Sequence, residues 1–174
     1  HSFDAAKISN EIIVKTCPEK TPFKTLDGIE IALDKEDLMI CDTTKPLCIA
    51  GVFGGLDTGV TDTTTSIFLE SAYFDPISVR KTSKRHGLNT DASFRFERGI
   101  DPEMGIIALK RAANLIKNLS GGTITSNLQS FNKQLKENSQ IFLSYETIER
   151  TIGESINKKD LNIILNALEI KINN

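Results

Sequence analysis

Tryptophan is missing from this 174-residue chain, and histidine, tyrosine and cysteine are scarce, with two, two and three copies. Cys17, Cys41 and Cys48 are odd in number and lack metal-ligand spacing. A disulfide framework and a zinc site are thereby excluded, and buried thiols in a reducing cytoplasm fit better. No apolar run approaches the roughly 20 residues of a membrane span, and no signal-peptide pattern is present. A net charge of −2 argues against a protein that coats nucleic acid over its whole surface. No glycine segment carries the lysine of a phosphate loop or the spacing of a dinucleotide fingerprint. No serine, histidine and aspartate are spaced as a nucleophile set, and Cys48 lies in an expected strand with nothing to activate it.

What is present is concentrated. Between Arg80 and Arg98, six basic residues (Arg80, Lys81, Lys84, Arg85, Arg95 and Arg98) face only Asp91 and Glu97, a local excess of four positive charges. Phe94 and Phe96 are interleaved with them, and Asn89, Thr90 and Asp91 offer short hydrogen-bonding groups. Such a segment suits a polyanion with stackable rings; an amphipathic helix with core phenylalanines explains it equally well.

The first seventy residues read as strands: Glu11 to Lys15, a hairpin from Thr25 to Leu33 about a type I′ turn at Asp27-Gly28, then Leu38 to Cys41, Leu47 to Val52 and Ile67 to Leu69. Helices follow. Asp75-Pro76 opens one that Gly87 ends, and Asp101-Pro102, as N-cap and first helical residue, opens the longest, which runs to Gly121-Gly122. Residues Ser126 to Ser139 are a polar connector. Beyond it the pattern predicts a short strand, Gln140 to Leu143, and two helices capped by Ser144 and Asn157. The fold class is therefore α+β: a β-rich, sandwich-like core with flanking helices over residues 1–125, the connector over 126–139, and a small helical unit over 140–174 that looks truncated.

Two further features could carry chemistry. Gly51-Val-Phe-Gly54-Gly55 is either a tight turn after a buried strand or a place where exposed amides approach a ligand. Glu70 stands inside the apolar run Ile67 to Phe74, where an unpartnered carboxylate costs several kcal/mol or protonates. It is either a strand-end residue facing water or a polar recognition group on an apolar wall. His86, amid basic residues, reads as a surface or phosphate-side group.

His1-Ser-Phe-Asp4, Leu26-Asp-Gly28, Ala50-Gly-Val-Phe-Gly-Gly55, Leu69-Glu-Ser-Ala-Tyr-Phe-Asp-Pro76 and Arg85 to Pro102 occur here in one order. This series, over roughly Phe3 to Gly122, closely resembles the bacterial phenylalanyl-tRNA synthetase beta subunit in the region of its editing domain. The resemblance implies hydrolysis of tyrosine wrongly attached to phenylalanine tRNA. It places His1 and Thr90 at catalytic positions, Glu70 as acceptor of the tyrosine hydroxyl, and Ala50, Gly51, Gly54 and Ala92 on the pocket wall. Lys84, Arg85 and Arg95 become candidates for tRNA phosphates, with Phe94 and Phe96 assigned to the core. The resemblance further implies tRNA(Phe) and an alpha subunit as partners in an alpha2-beta2 heterotetramer, with no DNA or membrane partner. ATP and Mg would serve the intact synthetase, and no cofactor is expected in this segment. A rival reading is a non-catalytic tRNA-binding or subunit-assembly module; an independent hydrolase lacks a nucleophile or metal set.

Overall fold

A computed structural model of the chain describes residues 1–131 and 140–173. It divides into two units, His1–Ser126 and Asn127–Asn174. Within the first, strands come early because β-branched and aliphatic residues alternate with short turns; they form three small antiparallel sheets and no closed barrel. β1 (Ser2–Asp4) pairs with a strand more than sixty residues away, β8 (Ile67–Leu69), placing Phe3 opposite Phe68. β2 (Ile13–Thr16), β5 (Leu38–Cys41), β6 (Pro46–Ile49) and β7 (Phe53–Gly54) make the main sheet, in the order β2-β5-β6-β7. β3 (Pro22–Lys24) and β4 (Glu30–Ala32) form the expected hairpin. Its turn is not type I′: only Gly28 has positive φ (86°), and its N–H bonds the carbonyl of Thr25. That is a three-residue loop closed by a left-handed glycine.

The core is made by the inward residues of these strands and the turns between them. Phe3, Leu33, Met39, Ile40, Leu47, Ile49 and Val52 are all buried, joined by Phe74 and Val79 from the helical side. α1 (Pro76–His86) begins where expected, with the Asp75 carboxylate accepting from the N–H of Ser78, and stops at Gly87. α2 (Asp91–Phe96) is the helix carrying Phe94 and Phe96 that the sequence left as one of two readings; its six residues are too few to display a period that would have fixed its bounds. α3 (Met104–Ser120) starts two residues later than Pro102: the Asp101 carboxylate accepts from Glu103 N–H, forming a turn ahead of the helix. No residue of α3 is buried, and Leu115 and Leu119 stand exposed.

The second unit carries α4 (Tyr145–Ile152) and α5 (Lys158–Ala167), capped by Ser144 and Asn157 as predicted. Gln140 to Leu143 is not a strand, and Ile141 and Phe142 are almost fully exposed. A single apolar tetrapeptide has β propensity, but among the described residues no strand lies beside it. Residues 132–139 of the expected connector lie outside the described residues. Among those described, no helix is long and apolar enough to cross a membrane.

Candidate functional site

The β1–β8 ladder extends one residue past its named ends. Glu70 N–H donates to the carbonyl of His1 (2.8 Å), and the amino group of His1 donates to the carbonyl of Glu70 (2.6 Å). Two sequence-distant candidates thus become cross-strand neighbours. Below them Asp4 fixes the start of the chain: its carboxylate accepts from Ala6 N–H (3.1 Å) and from the Thr64 hydroxyl (2.9 Å).

The imidazole of His1 lies against Phe3, with ring centroids 4.4 Å apart, and over Gly54. A Cβ at Gly54 would stand 2.8 Å from Cε1 of that ring, so the close approach requires glycine. Gly51 is needed for a different reason. It turns the chain with φ of 69°, and its face is closed by Phe74, Val79 and Phe96. The segment Ala50 to Gly55 therefore has a tight turn at Gly51, as one of the two sequence readings expected, and at Gly54 it is closely approached by the His1 ring.

Glu70 keeps 17% of its side chain exposed. Burial raises its pKa. No side-chain hydrogen bond to this carboxylate occurs among the described residues. The carboxylate also acts on its neighbour: burial, and then the charge of Glu70, pushes the Cys48 thiol up to about 12. Cys48 is no nucleophile at neutral pH, and all three cysteines are free and buried.

Thr90 reaches the same loop from the helical side. As N-cap of α2 it accepts from Ser93 N–H (3.0 Å), and its hydroxyl donates to the carbonyl of Val52 (2.6 Å). Ala92 is exposed on α2, and Ala50 is buried. His1, Glu70, Gly51, Gly54 and Thr90 are thus linked through one loop and one ladder. Val52 and Phe3, which complete the arrangement, stand within the quoted motifs but were given no part in the site.

The basic candidates differ in what they bond. Arg85 is tied to Asp34, Glu36 and Asp37, whereas Lys84 and Arg95 are exposed and form no ion pair among the described residues. His86 is not a surface residue: its side chain is 8% exposed and Nε2 lies 2.6 Å from Oδ2 of buried Asp37. Phe96 packs on Phe74, with centroids 5.2 Å apart, but Phe94 is 58% exposed beneath the guanidinium of Arg98, 3.5 Å from its ring centroid. The helix is too short to bury both rings, and the cation covers the second.

Two cavities of about 250 Å³ lie elsewhere, one lined by Glu36, Ile77, Lys81 and Arg85, the other by Lys15, Cys17, Cys41 and Lys45. Among the described residues, no group of three or more His, Cys, Asp or Glu side chains could hold a metal ion.

The B3/4 domain family matches residues 1–121. Over its length the chain is 54% identical to the phenylalanine–tRNA ligase beta subunit of Bacteroides thetaiotaomicron, covering 100% of this chain and 21% of that protein. The beta subunit of Bdellovibrio bacteriovorus is 44% identical over 88% of the chain and 19% of its own length. That of Aquifex aeolicus is 41% identical over 98% and 22%. The chain thus spans about a fifth of the length of these relatives. It belongs to the B3/4 domain family and is homologous to one stretch of the bacterial phenylalanine–tRNA ligase beta subunit.

Proposed function

We propose that this chain is the editing part of a phenylalanine–tRNA ligase beta subunit, hydrolysing tyrosine wrongly esterified to tRNA(Phe). The observation that carries the proposal is Glu70, a largely buried carboxylate with no side-chain hydrogen bond among the described residues, set beside His1 and a glycine loop. Phenylalanine is smaller than tyrosine by one hydroxyl, so a pocket that admits tyrosine cannot reject phenylalanine by size. A carboxylate that needs a donor can. It is satisfied by the tyrosine O–H and stranded by the phenyl ring, and sites built to bond a hydroxyl reject its absence by about 10⁴ to 10⁵.

The ester is already activated, so positioning supplies much of the acceleration. In this proposal His1, held between Phe3 and Gly54, orients the ester or the attacking water, and amides of the Ala50 to Gly55 loop polarise the carbonyl. Lys84 and Arg95, which form no ion pair among the described residues, are the candidates for tRNA phosphate, and Arg85 contributes less, being shared among three carboxylates. Activation of phenylalanine with ATP and Mg is assigned to the alpha subunit of an alpha2-beta2 assembly.

A second reading, a non-catalytic tRNA-binding or subunit-assembly module, has specific support. Neither cavity borders Glu70, burial pushes the Cys48 thiol up to about 12, and no metal-ligand cluster accompanies Glu70 among the described residues. On geometry alone these features favour binding over catalysis. Deacylation of tyrosyl-tRNA(Phe) by the intact synthetase, wild type and Glu70→Ala, separates the two. The editing reading expects loss of tyrosyl hydrolysis in the variant; equal hydrolysis by both proteins sinks it.

A further inference from the structure

Thr90 has one hydroxyl proton, and the structure shows where it goes. It points to the carbonyl of Val52 at 2.6 Å, while a lone pair of the same oxygen takes the N–H of Ser93 at 3.0 Å. The next-nearest acceptor, the Ser93 hydroxyl, is farther away at 3.3 Å. A hydroxyl so committed has no proton left for an ester or a water. Val52 is the middle of the segment that seats His1: its N–H bonds the carbonyl of Ile49 (3.0 Å), Gly51 before it turns the chain, and Gly54 two residues on lies under the imidazole. Thr90 is itself held from behind. Its N–H donates to the Ser93 hydroxyl (3.0 Å), whose own nearest acceptor is the carbonyl of Thr90 (3.0 Å), and the Ser83 hydroxyl donates to the carbonyl of Leu88 (2.7 Å).

We propose that Thr90 is a positioning residue, a latch from the N-terminus of α2 that sets the height of the Val52–Gly55 loop beneath His1. The proposal rests on the editing reading and changes the part Thr90 plays in it, from a group that touches the reacting atoms to one that acts through Val52. The latch and the cap are separable. Ser93→Ala breaks the reciprocal half of the capping box and leaves the bond to Val52. Thr90→Val removes both, and Thr90→Ser retains both.

The test uses the intact synthetase carrying each variant, with two readouts: kcat and KM for hydrolysis of tyrosyl-tRNA(Phe), and hydrogen exchange of the Val52 to Gly55 amides without substrate. Thr90→Val is expected to lower kcat by about 10- to 100-fold with KM little changed, as a small misplacement does, and to speed exchange in the loop. Thr90→Ser restores both, and Ser93→Ala stays near wild type in both although it weakens α2. Unchanged loop exchange in Thr90→Val overturns the latch. So does faster exchange with undiminished kcat, or a Ser93→Ala protein that matches Thr90→Val. If the wild-type enzyme does not hydrolyse tyrosyl-tRNA, the editing reading fails, and loop exchange alone decides whether the latch exists.

Discussion

Two carboxylates withdrawn from water, Asp37 and Glu70, stand in opposite circumstances. Asp37 is 0% exposed and saturated: it accepts from Asp34 N–H (2.8 Å), the Thr82 hydroxyl (3.0 Å), Arg85 and His86. Burial pushes its pKa up, but the Asp34 amide, His86 and Thr82 together outweigh burial and hold it below the ordinary value. Glu70 keeps 17% of its side chain exposed and lacks that set of donors among the described residues, so burial prevails and its pKa rises. The first arrangement fastens α1 to the loop before β5. The second leaves an acceptor in want of a donor, the condition a recognition group must satisfy before its ligand arrives.

Removing each carboxylate should therefore do unlike things. Asp37→Ala leaves Thr82 and His86 without their acceptor and Arg85 with only Asp34 and Glu36. Breaking one side of a buried pair costs about 3 kcal/mol or more, and urea unfolding of the intact subunit should show it. Glu70→Ala should fall within about 1 kcal/mol of wild type, because it relieves a burial penalty while losing little bonding. Equal losses at the two positions would dissolve the distinction.

A smaller effect is expected where the glycine loop meets the Glu70 side of the molecule. Gly54→Ala places a methyl 2.8 Å from Cε1 of His1, so the ring must move. Overpacking of this kind costs about 1–3 kcal/mol. Gly51→Ala should cost a comparable amount through its positive φ and its contact with Phe74, but leave the imidazole in place. His1 imidazole resonances in the two variants distinguish these cases: a shift confined to Gly54→Ala supports a loop whose two glycines serve separate purposes.

Much of this was legible in the sequence, and what was not has a physical reason. Local signals survived: Asp75, Ser144 and Asn157 as caps, glycines ending helices, and, before residue 70, short apolar runs as strands. Glu70 stood out because a charge in an apolar run is conspicuous. Asp37 did not, because nothing in Asp34-Lys-Glu-Asp37 says that Arg85 and His86, nearly fifty residues on, will fold over it. The same blindness to long-range partners made Arg85 look free and His86 look exposed. It also hid Val52, whose contribution is a backbone carbonyl, a group every residue has.

The smallest expected effect is in the pH dependence of stability, where the two carboxylates should pull in opposite directions. Asp37 has a folded pKa below its ordinary 3.8, so its contribution is present above that value and is lost as pH falls through the lower folded one. Glu70 has a folded pKa above its ordinary 4.5, so its contribution is full below 4.5 and is lost as pH rises through the higher folded one. Urea midpoints measured from pH 3 to 7 should therefore lose part of their acid limb in Asp37→Asn. Only part is expected to go, because Asp42, held at about 2 by Ser9, Thr44 and Lys45 against its burial, titrates in the same range. Glu70→Gln should instead flatten the decline above 4.5 and leave the acid limb alone. A decline that persists in Glu70→Gln would mean that the carboxylate is already well partnered in the intact protein. The donor that the tyrosine hydroxyl is proposed to bring would then already be supplied from within.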